Sequence, residues 1–91
     1  MNLNAQLVLP TSTATWLRQF DLPFAPHPGL GIRLDVYECV NVTSVVVGDY
    51  GYDVTCIVEL ELEGREIELA RDEEWIAAKC SRLGFEIGSY P

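Results

Sequence analysis

Residues 52–70 read YDVTCIVELELEGREIELA. Val54, Cys56, Val58, Leu60 and Leu62 fall at every second position, with Thr55, Glu59 and Glu61 between them. That is the two-residue period of a half-buried strand. Glu63-Gly64 reads as a tight turn and Arg65 to Ala70 as a returning strand. A two-residue loop sets Glu61 opposite Glu66 and Glu59 opposite Glu68, while Leu60 meets Ile67 and Val58 meets Leu69 on the other face. A four-residue loop changes partners and keeps the parity: Glu61 meets Glu68 and Glu63 meets Glu66. An odd loop would mix acids with core residues unless a bulge restored the phase.

Either even register gathers four or five carboxylates on one solvent-facing patch. Like charges directly opposed across a sheet cost a few tenths to ~1 kcal/mol per pair, so folding alone does not ask for them. From Glu59 to Glu74 there are eight acids and two bases, so this stretch carries −6 of the chain's −8. The plain reading is a solvated face that discourages edge pairing. The functional reading is a contact surface of Glu59, Glu61, Glu66 and Glu68 for a protein with a basic surface, because a localised field steers such a partner. Calcium would need a loop that wraps it, which a pleated face does not supply, so no metal site is expected.

Downstream, Asp72 reads as an N-cap with Glu73 and Glu74 in the first turn, where the helix dipole favours acids. Ile76, Cys80 and Leu83 share one face of a helix running to about Leu83, and Lys79 and Arg82 lie near its carboxyl end. Gly84 fits the left-handed position after the helix, with Phe85 packing back on Cys80. Phe85 to Ile87 can add a short last strand.

Upstream, Gly48-Asp49-Tyr50-Gly51 reads as a turn. Tyr50 and Tyr52, next to Asp49 and Asp53, are candidate interface anchors, the alternative being that one of them caps the edge of the core. Val42 to Val47 and the alternating Ile32 to Val40 read as strands. Residues 21–31 hold Pro23, Pro26 and Pro28 and form an extended loop. Leu3 to Leu9 alternates as a strand ended by Pro10, and a short helix is predicted after Thr13, with Trp16, Leu17 and Phe20 on its apolar side. Together these predict one α+β domain over 1–91. Its core is a twisted antiparallel meander of four to five strands, packed by the C-terminal helix and the short N-terminal one.

Composition narrows the function. Six bases against fourteen acids argue against direct binding to nucleic acid or to an anionic membrane. No apolar run approaches the ~20 residues of a membrane span, and residues 1–4 lack the basic and apolar character of a signal peptide. Cys39, Cys56 and Cys80 are odd in number and widely spaced, with no C-x-x-C pair, and His27 is the single histidine. Buried free thiols in a reducing, cytoplasmic compartment fit this better than zinc ligands, and they make the Asn41-Val42-Thr43 sequon silent. No nucleophile, metal, phosphate-loop or dinucleotide motif occurs. The expectation is a cofactor-free, non-enzymatic module, such as an inhibitor that offers acids to a nucleic-acid-handling protein. The alternative is an assembly subunit that pairs through sheet edges.

Overall fold

The computed structural model describes residues 2–48 and 51–88. In chain order it contains β1 (Leu3–Pro10), β2 (Thr15–Leu22), β3 (Gly31–Arg33), β4 (Cys39–Val47), β5 (Val54–Leu60), α1 (Arg65–Leu69), α2 (Glu73–Arg82) and β6 (Glu86–Ile87). The class is α+β, with one curled six-stranded sheet in the order β3-β4-β5-β1-β2-β6. Apart from Val8, the buried apolar residues form one cluster, in which Ala5, Leu7 and Leu9 of β1 meet Val54, Cys56 and Val58 of β5 and Ile76 and Cys80 of α2.

The sheet is larger than expected and is not a pure antiparallel meander. A β1–β2 hairpin and a β3–β4–β5 meander join through one parallel seam, in which Ala5, Gln6, Leu7 and Val8 of β1 pair with Val54, Thr55, Cys56 and Ile57 of β5. Asp53 starts the seam, accepting a hydrogen bond at Oδ2 from the Asn4 N–H (2.9 Å) and donating its own N–H to the Asn4 carbonyl (2.9 Å). Four strand steps of about 4.8 Å separate β2 from β3, and the proline-bearing linker spans them before turning at 27–30, where the Leu30 N–H reaches the His27 carbonyl (3.1 Å).

This topology overturns the hairpin at Gly64. β5 is paired on one side by β4 and on the other by β1. No free edge remains for a strand returning after Leu62, so residues 65–69 close on themselves as α1 instead. Gly64, at φ +56°, makes the reversal in open space.

The predicted N-terminal helix is also a strand. Trp16, Phe20 and Leu22 face the core from β2, opposite Leu9, Ala5 and Leu3. Arg18 occupies an inward position in that row and hides the alternation. It is tolerated there because its guanidinium donates to the Leu83 carbonyl at the end of α2 (2.7 Å) and lies 5.4 Å from the Phe20 ring centre.

The alternating run Ile32–Val40 is not continuous. Asp35 Oδ1 accepts from the Tyr37 N–H (2.7 Å) and the Glu38 N–H (2.8 Å), turning the chain between β3 and β4. Within β4 a bulge between Val42 and Ser44 keeps Val42 and Val45 on the core face, and Thr43 Oγ1 donates to the Ile57 carbonyl across it (3.1 Å).

α2 follows the expectation residue by residue. Asp72 Oδ1 accepts from the Glu74 N–H (2.9 Å) and the Trp75 N–H (3.3 Å). At the other end the Gly84 N–H reaches the Ser81 carbonyl (3.1 Å) and the Phe85 N–H the Cys80 carbonyl (3.0 Å), with Gly84 at φ +85°. Phe85 turns inward, and Glu86–Ile87 pairs antiparallel with Leu17 and Trp16 as β6.

Candidate functional site

With the hairpin gone, the expected acidic patch is divided. Glu59 is exposed at the end of β5 and lines a groove with Leu9, Leu60 and Arg71. Glu68 is exposed on α1. Glu61, just past β5, and Glu66, on α1, do come together, in a cleft completed by Tyr37, Glu38, Cys39 and Glu63. Tyr52 is half-buried beside Gln6, Leu17 and Ile87, and Asp53 is taken up by the β1–β5 seam. Asp49 and Tyr50 lie outside the described residues.

Glu38 and Glu66 also line a neighbouring pocket with Trp75, Lys79 and Arg82, and there they belong to an ion cluster that the sequence pattern does not announce. Lys79, 4% exposed on α2, places Nζ 2.9 Å from Glu38 Oε2 and 2.9 Å from Glu66 Oε2. Arg82 Nη2 adds a contact to Glu38 Oε1 at 3.0 Å. Lys79 Nζ also lies 5.4 Å from the centre of the Trp75 ring. Burial pulls the Lys79 ammonium down, but the hydrogen bonds and charges of Glu38 and Glu66 outweigh it, so its pKa sits above the ordinary lysine value. The hydrogen bond from Lys79 holds Glu66 below the ordinary carboxylate value. One lysine thus ties the start of β4 and α1 to α2.

Two of the four glutamates in the cleft are therefore spent on structure. Glu61 and Glu63 are exposed and make no ion pair among the described residues. Beside them the turn built by Asp35 projects Val36 and Tyr37, which are 73% and 92% exposed. A large apolar pair held out by a fixed turn next to free carboxylates is the composition of an interface anchor with a charged rim. The signal for the anchor was present as Asp35-x-Tyr37. The signal for the cluster was Lys79 itself, three residues after Ile76 on the apolar face of the helix.

The thiols lack the setting of a nucleophile. Burial raises the pKa of Cys39, and the Glu61 carboxylate beside it adds to the rise. Burial also raises Cys56, and it pushes Cys80 up to about 11. All three are free cysteines. Among the described residues, no three His, Cys, Asp or Glu side chains stand together as a metal-holding group, and no helix is long and apolar enough to cross a membrane. No protein-family model, curated protein or solved structure matches this chain.

Proposed function

We propose that this protein is a non-enzymatic binding module that docks the Val36–Tyr37 turn, rimmed by Glu61 and Glu63, on a protein with a basic surface. The observation that carries the reading is the 92% exposure of Tyr37 on a turn whose backbone is held by two hydrogen bonds to Asp35. With the backbone held before contact, only the two torsions of the ring remain to be ordered on binding. The acids around it supply the steering field, and −6 of the chain's −8 falls between Glu59 and Glu74. A partner that handles nucleic acid offers the matching basic groove, and covering that groove would block it against phosphates. The three free cysteines suit a reducing compartment such as the cytoplasm. Assembly through sheet edges has less support, because the edge strands β3 and β6 are three and two residues long.

Immobilised protein should retain its partners from extract at low salt and release them as salt rises. Tyr37→Ala should lose those partners while its unfolding free energy stays within about 0.5 kcal/mol of wild type, since the ring makes no core contact. Glu61→Gln with Glu63→Gln should flatten the salt response. Partners that survive Tyr37→Ala and elute independently of salt would refute the reading.

A further inference from the structure

The groove that takes Glu59 is separate from the Tyr37 cleft and shares no lining residue with it. It opens where β1 and β5, running parallel, reach their carboxyl ends under the α1–α2 junction, and it has a volume of about 400 Å³. That lies in the range of small-molecule sites, which run from about 300 to 1,000 Å³. Leu9, Leu60, Leu62, Ala70 and Ile76 make its walls apolar. Leu9 and Ile76 belong to the buried core, so the floor is rigid.

The polar groups on its rim are few and of opposite sign. Glu59 and Arg71 both line the groove, and neither forms an ion pair among the described residues. Of the two hydroxyl residues beside them, Thr11 is used by its own turn, donating to the Ala14 carbonyl (2.8 Å) and accepting from the Ala14 N–H (3.1 Å). Ser12 has no such bond among the described residues and remains a donor.

An apolar slot between an unpaired carboxylate and an unpaired guanidinium selects its ligand by charge. A simple carboxylic acid would meet Glu59 and the overall negative field, and a simple amine would meet Arg71. A molecule carrying both charges on one carbon, with an apolar side chain to fill the slot, satisfies both. We infer that this groove binds an α-amino acid with a large apolar side chain, its carboxylate on Arg71 and Ser12 and its ammonium on Glu59.

Three probes of one skeleton separate the contributions: L-phenylalanine, 3-phenylpropanoate, which lacks the ammonium, and 2-phenylethylamine, which lacks the carboxylate. Each is titrated while the methyl NMR signals of Leu9, Leu60, Leu62 and Ile76 are followed. L-Phenylalanine should shift these signals saturably, and each truncated probe should bind about tenfold more weakly, the loss of one charge-assisted contact at a solvent-open rim. Glu59→Gln should erase the preference over 3-phenylpropanoate, and Arg71→Gln the preference over the amine. Both side chains are exposed, so both variants keep the fold. Equal binding of the three probes, shifts confined to other residues, or no saturable shift would each overturn the inference.

Discussion

The two helices of this protein are neighbours in sequence and opposites in origin. α2 carries its instructions with it: Asp72 caps its start, Gly84 and Phe85 close its end, and Ile76 and Cys80 point one face inward. α1 carries contrary instructions, since Glu66-Ile67-Glu68-Leu69 alternates like a strand and its N-cap, Gly64, offers no side-chain hydrogen bond. It is a helix because β5, the strand it follows, has no edge left for it and because Lys79 reaches up from α2 to hold Glu66. Local pattern decides an element when its ends are specified as well as its faces; where they are not, the vacancy left by the rest of the fold decides.

The largest expected contrast lies in one residue type at two places. Ile76→Ala in α2 should cost about 2–4 kcal/mol of stability in chemical denaturation, because it empties core volume. Ile67, 58% exposed on α1, should lose no more than about 0.5 kcal/mol on the same change. Equal losses would mean that α1 is packed as firmly as α2.

The tie between the helices comes next. Lys79→Met keeps the stem and removes the charge, leaving Glu66 unpartnered and Glu38 with Arg82 alone, and should cost about 2 kcal/mol, below the usual figure for a fully buried pair because the carboxylates keep some water. The pH range of this effect follows from the two shifts. Glu66 is held below its ordinary 4.5, so its contribution is present above that value and is lost as pH falls through the lowered one. Lys79 is held above its ordinary 10.5, so its contribution is complete below that value and is lost as pH rises through the raised one. The stability gap between wild type and Lys79→Met should thus stay level from pH 4.5 to 10.5 and narrow on either side. A gap that persists into strong acid would assign the effect to packing.

A smaller effect is expected at the cap. Asp72→Ala should cost about 1 kcal/mol and reduce helical circular dichroism in proportion to α2. If the helix is indifferent to that change, its start is set by tertiary contacts, as in α1, and the contrast between the two helices disappears.

The same contrast explains what could be read in advance. β1, β5 and α2 are visible in the chain because their apolar period agrees with their ends, whereas β4 begins at Cys39, inside the run Ile32–Val40 that reads as an earlier strand. β2 is hidden because Arg18 breaks the inward row Trp16, Phe20, Leu22 for the sake of a bond to Leu83, sixty-five residues away. The parallel seam is hidden because nothing local joins Ala5 to Val54. Of the candidate site, the sequence pattern points to Glu61 and Glu66, but through a hairpin that the topology forbids. Tyr37 and Glu38 were passed over because the alternation of Ile32–Val40 masks the turn made by Asp35.

Everything said of the acidic stretch rests on β5 being an inner strand, and a NOESY spectrum of the labelled protein addresses that directly. Contacts across the parallel seam between Leu7 and Cys56, with sequential amide–amide contacts through residues 65–69, are the predicted result. Cross-strand backbone contacts of Glu59 with Glu68 and of Leu60 with Ile67 would restore the hairpin and contradict the account.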